Sequence, residues 1–300
     1  MDAGQLTRQI SYIGSGPYCY ANGLAMMMGE AAPGTAVIET VTGSPFGMQM
    51  GDGVAFFDPG GWNPQIGVAE ALAALGWRAT VTSGDDPVGR LEAALRGGPV
   101  FIGPVEMGYL RYQPEMRGPI GADHFLVVVD MDEDGVTAHD PQGYPYARIE
   151  MSDFLSTWRG DSVDYGQPCT LYTEFERTRV VGADEAVAAC LPRARERLAG
   201  NDSPDAARSL AAMLADGCPP GLRAHLTAFA VRVGARRTAD AADCLRRIGY
   251  GGAAAVMVEQ ARLIGSLQQL LVSERDRAAA EVVGELASTY ERLRAALHQR

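Results

Sequence analysis

The sequence changes character near residue 178, and this change limits the possible architectures more than any other feature. Before it, glycine, proline and aromatic residues separate short apolar segments. After it, alanine, leucine and arginine recur at helical spacing with few aromatic residues. The first pattern is typical of a mixed domain and the second of consecutive amphipathic helices. We therefore predict an α+β domain over residues 1–178 and an all-α helical bundle over residues 179–300.

Within the first domain, short helices alternate with strand-like runs. Apolar spacing and terminal proline or glycine predict helices at 17–28, 64–77, 86–98 and 153–158. Runs rich in β-branched residues predict strands at 78–83, 99–105, 123–132, 136–143, 146–151 and 169–175. The Gly-rich aromatic stretch 42–64 is interpreted as one long loop, a length that usually serves function. The second domain is predicted to hold helices at 183–199, 204–216, 221–234, 238–249, 251–272 and 274–298.

The charge distribution narrows the range of partners. Residues 1–178 contain 23 acidic residues and 9 arginines, a net charge of −14, whereas residues 179–300 contain 14 and 17, a net charge of +3. A strongly acidic first domain argues against a nucleic-acid partner and favours a cationic small molecule. All 26 basic residues are arginine, which excludes a lysine nucleophile or a lysine general base.

Cysteine usage and hydropathy point to an intracellular protein without a metal site. The five cysteines are odd in number and have no CxxC spacing, which argues against a disulfide framework and a structural zinc site. The amino-terminal residues have no apolar core typical of a signal peptide, and no apolar stretch is long enough to span a membrane. We therefore expect a soluble, cytoplasmic protein that does not bind a membrane.

The stretch "GSGPYCYANGLAMMMGE", residues 14–30, places Cys19 in the first turn of a helix that begins at Pro17. There the unpaired backbone N–H groups and the positive end of the helix dipole favour a thiolate. A buried structural cysteine is the alternative, because cysteine is often buried. The other four cysteines, at positions 169, 190, 218 and 244, lie in apolar or alanine-rich text typical of packed thiols.

A thiolate nucleophile needs a base and a group that orients the base, and a predicted hairpin supplies both. His124 opens one strand and Asp140 ends the next, so a tight turn at 133–135 sets them opposite each other. His139 is a competing base, but it is adjacent to Asp140 and would face the other side of the sheet. Asp123 is a weaker orienting candidate for the same reason, since it is adjacent to His124. A polar strand end and a turn-forming aspartate remain the structural alternatives.

Two segments, "GPYCYANGLAMMMGE" and "ADHFLVVVDMDEDGVTAHDPQG", resemble the papain-like C39 peptidase group. Within that group the chain is most similar to the butirosin-type acyl carrier protein:aminoglycoside acyltransferases. This likeness is carried by "SPFGMQMGDGVAFFDPGGWNP", by "LEAALRGGPVFIGPVEMGYLRY" and by the helical second half. It implies a papain-like fold over roughly residues 12–176 and a Cys19–His124–Asp140 triad. That triad would move an acyl group from a carrier-protein thioester to an amine, and an intramolecular nucleophile is the alternative acceptor.

The resemblance also implies partners for this protein, and the sequence departs from the family pattern at one position. The expected donor is the phosphopantetheine thioester of an acyl carrier protein, which the mildly basic helical half would dock, and no bound cofactor is expected. Phe56, Phe57 and Trp62 are candidates for lining an acyl pocket, with a plain core cluster as the alternative. C39 peptidases carry a glutamine six residues before the cysteine, where this chain has Ile13. This departure disfavours proteolysis more than thioester transfer. A C39-like peptidase or other amide or thioester hydrolase and an inactive binding or scaffold protein are the alternative functions.

Overall fold

The computed structural model describes residues 17–200 and 202–299 and combines helices with sheet. Its contacts divide the chain into two compact units. The described part of the first unit comprises residues 17–35 and 76–180, and the second comprises residues 36–75, 181–200 and 202–299. The boundary after residue 180 lies close to the predicted one. The assignment of residues 36–75 to the first domain is corrected, because this segment packs with the helices.

The first unit is built on a six-stranded antiparallel sheet. Its strands are β3 (Trp77–Thr82), β4 (Val100–Glu106), β5 (Asp123–Asp132), β6 (Gly135–Asp140), β7 (Tyr144–Glu150) and β8 (Leu171–Arg177). They pair in the order β3-β8-β4-β5-β6-β7. A two-residue turn joins β5 and β6, and Asp132 pairs with Gly135 across it. The predicted hairpin is therefore confirmed.

Helices cover both faces of this sheet. They are α1 (Cys19–Met28), α4 (Pro87–Leu95) and α5 (Met151–Arg159). On one face, Tyr20 of α1 packs edge-on against Phe125, with ring centroids 6.0 Å apart. On the other face, Leu126 lies in a buried cluster with Phe154 and Trp158 of α5. Because neighbouring strand residues face opposite sides, the continuous apolar run of β5 is explained by burial on both sides.

Residues 36–75 contain more regular structure than predicted. Helix α2 (Thr35–Val41) precedes a small hairpin of β1 (Gln49–Gly51) and β2 (Val54–Phe56), and α3 (Pro64–Leu75) follows. Asp52 and Gly53 join the two strands with φ angles of 47° and 80°. An Asp-Gly pair with both φ angles positive is the favoured two-residue hairpin turn. The prediction of one uninterrupted loop over 42–64 is therefore wrong.

The rest of the second unit is helical, as predicted. Its helices are α6 (Ala183–Ala199), α7 (Ser203–Ala215), α8 (Pro220–His225), α9 (Val231–Arg247), α10 (Gly251–Val272) and α11 (Asp276–Ala296). A π-helical turn, Leu226–Ala230, joins α8 to α9. The predicted break after residue 234 is wrong, because Gly234 lies inside α9. A Cβ at Gly234 would lie 2.5 Å from the Phe57 ring, so this glycine permits close packing.

A buried ion network ties residues 36–75 to α9. Arg237 is 5% exposed, and its guanidinium donates to Glu39 Oε1 at 2.7 Å and to Asp58 Oδ2 at 2.9 Å. The same guanidinium lies over the Trp62 ring, 5.5 Å from its centroid. Removing one partner of a buried ion pair leaves an uncompensated charge, which is strongly destabilising. This network explains why the segment belongs to the helical unit.

The unit boundaries change the charge balance inferred from the sequence. Residues 181–300 contain 14 acidic residues and 16 arginines, and residues 36–75 add four acidic residues and no arginine, so the second unit has a net charge of −2. The remaining 19 acidic residues and 10 arginines give the first unit a net charge of −9. The expected basic character of the helical half is therefore not a property of the folded unit. In the described ranges, no helix has the length and apolar character needed to cross a bilayer.

Candidate active site

Cys19 begins α1, two residues after the predicted helix start at Pro17. The preceding residue, Tyr18, is buried and has a left-handed φ of 84°. A non-glycine residue in this conformation costs about 1–3 kcal/mol, and such residues cluster at functional sites. As the first helical residue, Cys19 lies at the positive end of the helix dipole. The residue as a whole is partly exposed, and its thiol is the buried part.

The structure brings Cys19, His124 and Asp140 together. His124 Nε2 lies 2.7 Å from Asp140 Oδ1, and both residues are buried. The side chain of His124 also hydrogen-bonds the Cys19 thiol. Because Nε2 faces Asp140, Nδ1 is the ring nitrogen left for the thiol. Sulfur, imidazole and carboxylate therefore form one continuous hydrogen-bonded chain.

The strand register that produces this contact differs from the predicted one. The β5–β6 ladder pairs Val127 with His139, which would set residue 142 rather than Asp140 across from His124. The two residues are therefore diagonal neighbours, and their side chains reach across the offset. His139 is buried elsewhere, since its Nδ1 accepts a hydrogen bond from the Tyr146 backbone. The structure thus separates His139 from the contact made by His124.

Asp140 is held by more donors than sequence reasoning identified. Its Oδ2 accepts from the Tyr112 hydroxyl at 2.8 Å and from Gln113 Nε2 at 2.7 Å. Its Oδ1 accepts from the Gln142 backbone N–H at 2.7 Å in addition to contacting His124. Tyr112 and Gln113 lie between β4 and β5, in text without periodicity. Both fix the direction of the carboxylate.

Glu106 anchors the segment that carries Tyr112 and Gln113. Its buried carboxylate accepts from the backbone N–H groups of Gly108, Ile120 and Gly121 at 2.9–3.1 Å. The Ser162 hydroxyl also donates to Glu106. Gly108 is required here, because a Cβ would lie 1.9 Å from the Gly118 carbonyl oxygen. One carboxylate therefore closes the loop between β4 and β5.

The surroundings shift the pKa values of Cys19, His124 and Asp140. Burial raises the pKa of the Cys19 thiol, against the opposing effects of His124 and of a hydrogen bond from the Phe125 backbone. Burial alone lowers the pKa of His124, but the charges of Asp140 and Cys19 outweigh it and raise that pKa well above its usual value. For Asp140, burial is outweighed by His124 and the hydrogen bonds, which lower the pKa. Asp140 therefore stays ionised, and the imidazole is a strong acceptor for the thiol proton.

Asp123 is hydrogen-bonded by a tyrosine, whereas the neighbouring His124 contacts Asp140. The Tyr165 hydroxyl donates to Asp123 Oδ2 at 2.6 Å. Both residues are partly exposed, and the charge of Asp123 opposes formation of the Cys19 thiolate. The carboxylate that contacts His124 is thus Asp140, and Asp123 is a second carboxylate whose charge acts on the thiol.

The remaining cysteines fit the packing interpretation. Cys169, Cys218 and Cys244 are buried, and Cys190 is partly buried against the helical core. Burial raises the pKa of each of these thiols, to about 12 for Cys190. Each is therefore less reactive than an unperturbed thiol at neutral pH.

The three aromatic residues predicted to line an acyl pocket lie in the second unit, and each makes packing or hydrogen-bond contacts within that unit. Phe57 is 3% exposed and packs against Gly234, while Trp62 Nε1 donates to the Thr42 carbonyl at 2.9 Å. Phe56 packs edge-on against His225, with ring centroids 4.8 Å apart. These are core contacts of the helical unit. They agree with the alternative of a plain core cluster, and the lining of an acyl pocket by Phe56, Phe57 and Trp62 stays a prediction.

Candidate oxyanion donors lie close to Cys19 in the sequence. Ile13, with its neighbours Gln9 and Tyr12, lies outside the described residues. The Cys19 backbone N–H is the candidate donor, because the first N–H groups of a helix have no intrahelical acceptor.

Among the described residues, no group of three or more His, Cys, Asp or Glu side chains is arranged to hold a metal ion.

Comparison with known proteins finds similarity to YobF over part of this chain. Residues 196–298 match the family model described as the YobF C-terminal domain. The chain is 29% identical over 168 residues to the "Uncharacterized protein YobF" of Bacillus subtilis (strain 168). That alignment covers 54% of this chain and 54% of the relative, so the chain spans about half the length of the curated relative it matches.

Proposed function

We propose that this protein is a cysteine-dependent acyltransferase with a papain-like catalytic unit. Cys19 is the nucleophile, His124 carries the proton, and Asp140 holds the imidazole. The observation that carries the proposal is the continuous chain from the Cys19 thiol through His124 to Asp140, whose last contact measures 2.7 Å. Nucleophile, base and orienting group in hydrogen-bond contact are the arrangement that covalent acyl transfer requires.

The proposed reaction has two steps. His124 takes the Cys19 proton as Sγ attacks the thioester carbonyl, and it returns that proton to the departing pantetheine thiol. The acyl group then rests on Sγ. An amine attacks the same carbon, a C–N bond forms as the C–S bond breaks, and the amine proton passes through His124 back to the sulfur. Asp140 keeps the imidazole in one orientation through both steps.

Charge and the oxyanion position favour transfer from a thioester. A net charge of −9 on the first unit raises the local concentration of a cationic acceptor. The glutamine of C39 peptidases is replaced by Ile13, and each oxyanion donor contributes about 3–4 kcal/mol. A thioester is more activated than a peptide bond and tolerates that loss better. We therefore place the phosphopantetheine thioester of a carrier protein as donor and an amine as acceptor.

The net charge of the second unit bears on the predicted docking of a carrier protein. The sequence predicts that a basic helical half attracts an acidic carrier, but with residues 36–75 included the net charge of this unit is −2. Charge attraction to that unit therefore does not support carrier docking. The carrier protein enters this proposal through the thioester chemistry alone.

The test is acylation of Cys19 followed by discharge. Intact-mass spectrometry after incubation with octanoyl-pantetheine should show one acyl adduct that is absent in Cys19→Ala and present in Cys190→Ala, the matched partly buried thiol. Faster discharge by a primary amine than by water supports transfer. Equal discharge by water would assign a hydrolase instead. No adduct in the wild-type protein would contradict both enzymes and favour a scaffold.

A further inference from the structure

Helix α1 approaches the sheet closely at Gly23, one turn after Cys19. A Cβ at this buried glycine would lie 2.4 Å from Phe101 Cε2 and 3.0 Å from Phe101 Cδ2. Carbon atoms in contact are ordinarily about 3.5–4.0 Å apart, so any side chain at Gly23 would require the helix or the ring to move by about 1 Å.

The Phe101 ring has little room to move away. It is buried and stacks on the Phe125 ring, with centroids 5.4 Å apart and an angle of 22° between the two planes. Tyr172 and Phe175 of β8 pack against the same ring, with centroids 5.2 and 6.4 Å away. Because close-packed interiors transmit strain, a side chain at Gly23 would displace the helix from the sheet.

Helical spacing transmits a displacement at Gly23 to the nucleophile. Residues four positions apart lie on the same face of a helix, so Cys19 and Gly23 face the sheet together. There the Cys19 thiol contacts β5 twice, through the His124 side chain and the Phe125 backbone. Both contacts are hydrogen bonds, which are lost when the distance between donor and acceptor grows by about 1 Å.

We propose that Gly23 is a positioning residue for the proposed acyl transfer: it sets the distance between α1 and the sheet at which Cys19 Sγ reaches both hydrogen-bonding partners. The inference rests on the proposed function for its catalytic consequence, and Gly23 has no side chain to touch the reacting atoms. Glycine forms helices less well than alanine, so its presence inside α1 lowers the stability of this helix. The close approach to Phe101 gives that unfavourable choice a physical reason.

Alkylation of Cys19 tests this position without any acyl transfer. The measurement is iodoacetamide labelling at pH 7 with peptide mapping, before and after His124→Gln. With Gly23 present, His124→Gln should slow labelling about tenfold or more, because the thiol loses the group that favours its thiolate. In Gly23→Ala the same substitution should change labelling by less than about twofold, because non-interacting residues show no coupling. An equal effect of His124→Gln in both proteins would overturn the inference.

A matched glycine separates positioning from general destabilisation. A Cβ at Gly67, in α3 of the second unit, would lie 2.6 Å from the Trp62 ring. Gly67→Ala should therefore lower the melting temperature and leave the effect of His124→Gln on labelling unchanged. Phe101→Leu removes the obstructing ring edge, so its combination with Gly23→Ala should restore that effect. Loss of the effect in Gly67→Ala, or no restoration in the combined variant, would contradict the role of Gly23.

A second comparison applies if Gly23→Ala alone does not fold. In the Phe101→Leu background, which has more room, Gly23→Ala and the bulkier Gly23→Val are compared by the same labelling experiment. Only Gly23→Val should abolish the effect of His124→Gln, and an equal effect in both variants would overturn the inference. Thermal melting curves show which variants are folded.

The acylation rate separates this inference from the proposed function. A misplacement of about 1 Å can slow a reaction about 100-fold, and we expect a loss of about that size for octanoyl-pantetheine in Gly23→Ala. An unchanged acylation rate would contradict the positioning role and leave the acyltransferase intact. Absence of an acyl adduct in the wild-type protein would contradict the proposed function, and the labelling result would still decide whether Gly23 positions the thiol.

Discussion

His124 and Asp140 are diagonal neighbours on adjacent strands, and their side chains meet at 2.7 Å although their backbones are not register partners. The contact lies at the end of β6, where the Gln142 backbone N–H also donates to Asp140 Oδ1. The orientation of the base is therefore set by the strand end as well as by the ladder. Five predictions follow from the groups around this contact and from the buried ion pairs.

Replacing Asp140 with asparagine should disable His124 as a base. The amide keeps the shape but loses the charge that raises the pKa of the imidazole. General-base catalysis contributes about 100- to 10,000-fold, so acylation of Cys19 should slow at least about 100-fold. Stopped-flow or quench-flow mass spectrometry measures the rate. Asp134→Asn, an exposed aspartate in the β5–β6 turn, should acylate normally, and an equal loss there would contradict the assignment.

Tyr112→Phe should weaken the hold on Asp140 without abolishing activity. A hydrogen bond to a charged group contributes about 1.5–3 kcal/mol, and its loss raises the pKa of the carboxyl. We therefore expect the acidic limb of the alkylation profile of Cys19 to move to higher pH. Tyr109→Phe is the control in the same segment. An unshifted profile in Tyr112→Phe would show that Gln113 alone suffices.

The raised pKa of His124 makes stability depend on pH. A histidine whose folded pKa lies above its unfolded value, about 6.5, stabilises the fold below that pH, and this contribution is lost as the pH rises through the folded value. The free energy of unfolding should therefore fall as the pH rises above about 6.5, by up to about 1.4 kcal/mol per pH unit. Urea titrations should show a flatter dependence for His124→Gln. The exposed His298→Gln should keep the wild-type slope.

Glu106→Gln should destabilise the loop that carries Tyr112 and Gln113. In the wild-type protein, backbone N–H groups and the Ser162 hydroxyl donate to the Glu106 carboxylate. The glutamine amide would set its own N–H donors against them. Leaving such donors unpaired costs about 3 kcal/mol in total. Urea unfolding should register this loss, and Cys19 acylation should fall with it. Glu133→Gln, at an exposed turn, should change stability by less than about 0.5 kcal/mol.

Arg237→Met should destabilise the second unit strongly. It leaves the carboxylates of Glu39 and Asp58 buried without their guanidinium, and breaking a buried ion pair typically costs about 3–5 kcal/mol. Arg262→Met, at an exposed helix position, should leave the unfolding curve unchanged. Differential scanning calorimetry measures both. A loss below about 1 kcal/mol in Arg237→Met would contradict the role given to this network.

Local sequence patterns predict the helix or strand that carries each of the three candidate residues, but not that the three side chains meet. Proline and glycine mark the start of the helix at Cys19, and runs rich in apolar and β-branched residues mark the strands that hold His124 and Asp140. Tyr112, Gln113 and Tyr165 could not be found in this way, because their segments have no periodicity. Their positions depend on Glu106 and Asp123, which bind residues distant in sequence.

The incorrect assignment of residues 36–75 to the first domain has a similar physical cause. Residues 36–75 share the glycine and aromatic content of the first domain, which suggested that they belong to it. Their placement depends on Arg237, which contacts Glu39 and Asp58 across 198 and 179 sequence positions. Composition describes a segment by itself and contains no information about such distant pairings.

Because residues 36–75 pack with helices that start after residue 180, the order of synthesis matters for this protein. The segment leaves the ribosome before its partners, and the intervening residues 76–180 take about 5–20 s to translate at ~5–20 residues per second. During that interval Phe46, Met48 and Phe57 lack the surface that later buries them. A nascent chain stalled near residue 180 is thus the species that chaperones would recognise, and a permuted gene that encodes 36–75 next to the helices would shorten its exposure.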